Sequence, residues 1–374
     1  MFNGTSLRLP MNQTSSSMTS DQEKVLSSIR PSKIIVPTII GVLVVVFLVK
    51  SQLDFDELRS INWSFHAFTW IFIAIVVYAL RHLLYSWRLR ILSEGDFNWW
   101  KSIELVTILE FASAVSPTNF GGSAVAFFLL IQENISAARS TAIVIYTIIA
   151  DTLFFVITIP LLYGILGKNI FLPVDGDSSV WGGMEVTLFL AWLVMAAYGS
   201  LLLYGLFVQP KHIKRFLNWI ASWPFLKKSK PRINKAAEDI EVSSLHIRNM
   251  SWLFHSKLIF ATLLAWILRF FTVTAILLAL NPDMSQSVYD HIILLGRGEA
   301  LYAVTAYSPT PGGSGVAEII FGQFYGEYIS QGIAVVAAVL WRVITYYPYL
   351  ILGVIIIPNW IRKLINKRRT KTSV

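Results

Sequence analysis

Apolar runs divided by short polar stretches dominate this chain, and their lengths set its architecture. Six runs approach or exceed the roughly 20 residues that a helix needs to cross a bilayer: 33–49, 63–92, 139–166, 185–208, 257–280 and 330–357. Two more, 102–131 and 289–324, are broken near their centres by near-copies of one phrase. The first copy reads Ser116-Pro117-Thr118-Asn119-Phe120-Gly121-Gly122-Ser123, and the second reads Ser308-Pro309-Thr310-Pro311-Gly312-Gly313-Ser314. Pro and Gly interrupt helices, so each phrase marks backbone that stops being helical at membrane depth. Hydrocarbon cannot satisfy free N–H and C=O groups, so such breaks survive only when buried in protein or lining a wet cavity. At 1.5 Å per residue each broken run is too short for two crossings. Re-entrant helical hairpins, with breaks at Pro117 and at Pro309 and Pro311, fit better. The expected fold is an all-α polytopic membrane protein with six full transmembrane helices and two re-entrant helical hairpins.

The order span, hairpin, span occurs twice, over about 63–166 and about 257–357. Two crossings separate the 63–92 and 257–280 spans, so the second unit starts from the opposite face. That makes the pair an inverted repeat, the arrangement in which matched broken helices mark a binding site near the midplane. Arg81 and Arg269 occupy matching positions, each followed roughly thirty residues later by Glu110 or Glu299. Ser123 and Ser314 are N-cap residue types following each Gly-Gly. A helix N-terminus carries the equivalent of about half a positive charge and unpaired N–H donors. Two such ends, at Gly121-Gly122-Ser123 and Gly312-Gly313-Ser314, would form a site for a phosphate or carboxylate. The alternative is that the glycines only let the hairpins pack closely on their neighbours.

Composition agrees with a membrane protein. The 374 residues are 55% hydrophobic and 14% charged, with a mean hydropathy of +0.60. Cysteine is absent, which excludes disulfides and thiolate chemistry. Residues 1–32 are polar and read as a disordered cytoplasmic tail without a cleavable signal peptide. The net charge of +9 concentrates in a basic loop at 209–256 and a basic tail at 358–374. Loops carrying Asp54, Asp56, Glu57, Asp175, Asp177, Asp283 and Glu327 fall on the other side, so the positive-inside bias places both termini in the cytoplasm. Both basic clusters border apolar spans and so face anionic lipid, not nucleic acid. Within the loop, Lys211 to Trp223 fits an interfacial helix or a plain basic loop equally well.

Ionisable residues at depth narrow the chemistry. Arg81, Arg269 and Arg342 lie in spans and Arg297 in the second hairpin, while Asp151 is mid-span and Glu110, Glu299 and Glu318 lie on hairpin legs. A charge at the bilayer centre costs roughly 2.5–3.5 kcal/mol on insertion scales, so such residues mark function or pair with one another. In the functional reading the arginines clamp an anion and the four carboxylates couple protons or tune charge. In the other, bases and acids cancel as structural ion pairs. The six histidines show no metal spacing, so neither a metal nor a cofactor is expected.

The phrase Pro309-Thr310-Pro311-Gly312-Gly313-Ser314-Gly315-Val316-Ala317-Glu318, then Arg342-Val343-Ile344-Thr345-Tyr346-Tyr347 with Gly353, carries a family resemblance. Ser116-Pro117-Thr118, Gly121-Gly122-Ser123 and Asp151 carry it in the first half. Here the chain resembles the membrane domain of bacterial lysylphosphatidylglycerol synthase/flippases and their stand-alone relatives, over nearly all of 60–357. Where that family shows a Glu-Arg pair before the aspartate, this chain has Thr147 to Ala150. The resemblance implies an inner-membrane protein that moves a polar, anionic lipid or lipid-linked precursor between leaflets. It implies no enzyme, since the soluble aminoacyl-transferase domain is not expected here. Membrane lipids are the expected partners, and a homodimer or a lipid-modifying partner enzyme stays open. Rival readings are a secondary transporter of a small water-soluble anion and a membrane scaffold.

Overall fold

The computed structural model describes residues 61, 63–116, 120–167, 178–209, scattered positions between 211 and 245, 247–285, 287–306, 310, 313 and 316–372. The expected 33–49 span, the 1–32 tail and most of the 209–256 loop lie outside the described residues. So do Pro117, Pro309, Pro311, Gly312 and Ser314.

The described residues are helical, with no strand among them. In chain order the helices are α1 (Phe65–Leu92), α2 (Trp99–Val115), α3 (Phe120–Gln132), α4 (Ala137–Leu166) and α5 (Ser178–Leu203). A π-helical turn, Tyr204–Val208, closes α5. Then come α6 (Trp252–Leu280), α7 (Val288–Ala306), α8 (Val316–Tyr325), α9 (Gln331–Thr345) and α10 (Tyr347–Thr372). Local chemistry fixes several starts: Ser64, Asn98, Ser136 and Ser251 each accept a hydrogen bond from a backbone N–H three residues on. Five segments are long and apolar enough to cross a membrane: Phe65–Leu92, Ala137–Leu166, Phe189–Val208, Trp252–Leu280 and Gly332–Leu364. They correspond to the second through sixth apolar runs. Phe65, Phe68 and Phe72 on α1 and Ile351, Val354 and Ile355 on α10 stay exposed, as a face turned to lipid requires.

Both broken runs are pairs of short helices, α2 with α3 and α7 with α8, whose members pack against each other. The centre of the molecule is α1 against α6, the most extensive helix–helix contact. Around it the packing repeats: α1 on α2 and α6 on α7, α3 on α4 and α8 on α9, α2 on α10 and α7 on α5.

Three expectations are corrected. The 330–357 run is two helices, because Pro348 lacks an N–H and crowds the carbonyl of Ile344, so α10 restarts one residue before it. Nor does α10 stop at Pro358. It runs on to Thr372, and the Asn359 side-chain Nδ2 donates to the Ile355 carbonyl at 3.2 Å, so the basic tail is largely helix. Finally, Ser123 is not an N-cap, since α3 already begins at Phe120. Gly121, Gly122 and Ser123 are inside its first turns. Gly122 is there for close approach: a Cβ would sit 2.3 Å from the Ser113 hydroxyl oxygen of α2.

Candidate functional site: two cavities that share one arginine

One face of α1 presents Tyr78, Arg81, Tyr85 and Arg88, spaced three, four and three residues apart. The Tyr85 ring lies 4.3 Å from each guanidinium carbon. Arg81, 1% exposed, donates to Glu110 of α2 at 2.7 Å and to the hydroxyls of Tyr78 and Tyr349, both at 3.2 Å. Arg88 grips both oxygens of Asp151 on α4, at 2.5 and 3.2 Å. The Trp266 indole N–H of α6 donates to the same carboxylate at 2.9 Å.

In the second half, Arg342 on α9 donates to Glu318 on α8 at 2.7 Å, both buried. Arg297 on α7 donates to Glu327 at 2.6 Å and to the Phe324 carbonyl at 3.0 Å. That pair ties the first leg of the break to the turn after the second leg. Lys101 and Glu133, 2.5 Å apart, tie α2 to the end of α3 in the same way.

Arg269 differs from these. Its guanidinium stands 5.3 Å from the Trp266 ring and 4.9 Å from the Tyr302 ring, and no acid lies within ion-pair distance among the described residues. Glu299, its expected partner by sequence, is turned away. That carboxyl is 1% exposed, accepts from Thr158 at 2.9 Å, and leaves its other oxygen without a hydrogen bond.

Two cavities meet at Arg269. The larger, about 270 Å³, is lined by Arg81, Arg88, Asp151, Gly122 and Ser123. The smaller, about 120 Å³, is lined by Tyr78, Tyr349, Arg342, Thr310 and Gly313. Glu110, Ser113, Arg269 and Tyr302 belong to the walls of both. The second break lines the smaller cavity with Thr310 and Gly313, while the first lines the larger with Gly122 and Ser123 and the smaller with Ser116. Gly313 has φ of +68°, in the left-handed region that favours glycine.

Of the expected site residues, Gly122, Ser123, Gly313, Arg81, Arg269, Arg342, Glu110 and Asp151 line a cavity. Glu318 stands behind Arg342, while Arg297 and Glu299 line neither cavity. Sequence reasoning missed Arg88 and the aromatic frame of Tyr78, Tyr85, Trp266, Tyr302 and Tyr349. The alternation of Tyr and Arg along one helical face was the available signal for half of it. Among the described residues no group of three potential ligands could hold a metal ion.

The sequence profile of the family described as "Lysylphosphatidylglycerol synthase TM region" matches residues 34–353. The chain belongs to this family. It is also 24% identical over 316 residues to a UPF0104 membrane protein of Archaeoglobus fulgidus, covering 82% of this chain and 89% of that one. No solved structure matches. Membership and the apolar helices make this a multi-pass membrane protein with a lipid-related family context. Within the family pattern, the residues before Asp151 are Thr147 to Ala150, and the aspartate's basic partner here is Arg88 from α1.

Proposed function

We propose that this protein is a flippase or carrier that moves a polar, anionic lipid or lipid-linked precursor between the leaflets of an inner (cytoplasmic) membrane. One observation carries the reading: Arg269, with no acid within ion-pair distance among the described residues, forms part of the wall shared by two cavities that several charged and hydroxyl side chains line. Arg269 is only partly buried, but a cation at membrane depth is still costly unless paired, and the cost is repaid when an anion arrives. Ligand pockets for drug-sized molecules are typically about 300–1,000 Å³. The larger cavity, about 270 Å³, suits a headgroup, and the acyl chains stay in the bilayer. Arg81, Arg88, Arg342 and the backbone around Gly122 and Gly313 complete the headgroup surroundings, while the ion-paired Glu110, Asp151 and Glu318 hold those arginines in place. Arg297 and Glu299 fall outside the headgroup site in this reading.

The topology that goes with it has six crossings, the sixth supplied by 33–49, with the two broken pairs as re-entrant hairpins of an inverted repeat. Support comes from the matching contact order of the two halves and from the positive-inside charge of the loops. Both termini are then cytoplasmic.

The test is leaflet exchange of fluorescent anionic lipids in vesicles carrying the purified protein. Exchange well above protein-free vesicles is expected, and Arg269→Gln should remove it while far-ultraviolet circular dichroism stays native. Full exchange by a folded Arg269→Gln protein defeats the reading. The hydroxyl-rich smaller cavity favours a second reading, carriage of a small water-soluble anion. Uptake of radiolabelled glycerol phosphate without lipid exchange selects it.

A further inference from the structure

Glu110, Asp151 and Glu318, three of the four carboxyls at depth, each pair with an arginine. Glu299 has no base within ion-pair distance among the described residues. Its face of α7 is apolar: Leu295, four residues before it, and Tyr302, three after, pack with Met195 of α5 against Phe154, Phe155, Trp266 and Phe270. The carboxyl is buried, and one of its oxygens has no hydrogen-bond partner. The other oxygen has Thr158 at 2.9 Å, whose hydroxyl also stands 2.7 Å from the Phe154 carbonyl. A hydroxyl carries one hydrogen, so Thr158 serves only one of those acceptors at a time. An ionised carboxylate offers about four lone-pair sites and would have at most one of them filled here. Burying a charge on those terms is far costlier than burying the neutral acid, which keeps its hydrogen and can return it to Thr158.

The ionisable neighbours leave this unchanged. On the helices packed against α7, Asp151 of α4 is held by Arg88, and Glu318 of α8 by Arg342. Arg269 of α6 lies over the Trp266 and Tyr302 rings. On α7 itself Arg297 pairs with Glu327, and the Tyr302 ring stacks on Phe155. Tyr325 of α8 packs on Phe321, while Tyr163 of α4 and Tyr198 of α5 are exposed. The acid of α5, Glu185, stands ten residues before Met195.

Thr158 also sits in a weak turn of α4. Pro160 lacks an N–H and leaves the Val156 carbonyl without its helical donor. The Trp192 indole N–H of α5 donates to that carbonyl at 3.3 Å. Helices bend at such prolines, and Glu299 from α7 and Trp192 from α5 grip α4 within a turn of this one. We infer that Glu299 is a proton-binding site, which holds its hydrogen while α7 is closed on Thr158 and exchanges it with water when α4 bends away at Pro160. Its ligand is a proton, and the inference does not depend on the carrier reading.

Infrared spectroscopy of the purified full-length protein in lipid vesicles reads the hydrogen directly, through the C=O stretch of a protonated carboxyl. A protonated-carboxyl band is expected at pH 7, well above the value of about 4.3 at which an ordinary glutamate ionises. Glu299→Gln should lose that band. Thr158→Val should keep it and move it to higher wavenumber, because the carbonyl loses its donor. This second variant keeps the assignment testable if the first fails to fold. In heavy water the band should shift down as the hydrogen exchanges. Pro160→Ala, which returns an N–H to the turn, should slow that shift about three- to tenfold, the worth of one helical hydrogen bond. No band in the unaltered protein at pH 7, or the same band in both Glu299→Gln and Thr158→Val, overturns the proton site. Exchange as fast in Pro160→Ala as in the unaltered protein overturns release through the bend.

Discussion

The two halves of the molecule place an arginine on a long helix and a glutamate on the next short helix at matching positions, yet only one of the pairs closes. Arg81 reaches Glu110 at 2.7 Å, whereas Arg269 and Glu299 point to different neighbours. The first pair is neutral and rigid. The second leaves a cation at the cavity wall and a carboxyl buried against Thr158. The same residue types therefore form a closed ion pair in one half and stay apart in the other. Arg81 is buried and meets its acid, whereas Arg269 is only partly buried and stands over the Trp266 and Tyr302 rings, away from Glu299.

The widest contrast comes from neutralising each glutamate. Glu110→Gln strands Arg81 in a buried site and should lower stability by about 3–5 kcal/mol, the range for breaking a buried pair. Glu299→Gln removes no ion pair and keeps an acceptor for Thr158, so it should cost at most about 1 kcal/mol. Denaturant titration in micelles reads both. Equal losses would mean that Glu299 does find a cation and that the halves are alike.

The two glycine phrases differ as well, and smaller substitutions expose it. Gly313 has φ of +68°, so Gly313→Ala should cost about 1–2 kcal/mol through backbone strain. No change at the neighbouring Thr305 should rescue it. Gly122 is helical and only lacks room against Ser113. Gly122→Ala in a Ser113→Ala background should instead stabilise by about 0.5–1 kcal/mol, the helix preference of Ala over Gly. Alone, it should gain less, because the Ser113 hydroxyl must first move. A loss that persists in the double variant would show that Gly122 has a conformational role like that of Gly313.

The apolar runs and the Pro-Gly phrases determined which segments are long helices and where two of them break, because crossing length and backbone satisfaction are local demands. They located all five described spans and both broken pairs. Boundaries moved where competing local effects met, as at Pro348, which restarts a helix, and Pro358, which does not end one. The charged residues at depth were also visible in the sequence, but their partners were not. Arg297 pairs with Glu327, Arg88 with Asp151, and Glu299 accepts from Thr158. Pairing depends on which helix faces bring side chains within about 4 Å, and those contacts join residues far apart in the chain. Only the packing of α1 against α6, with the broken pairs around them, decided which arginine was left over.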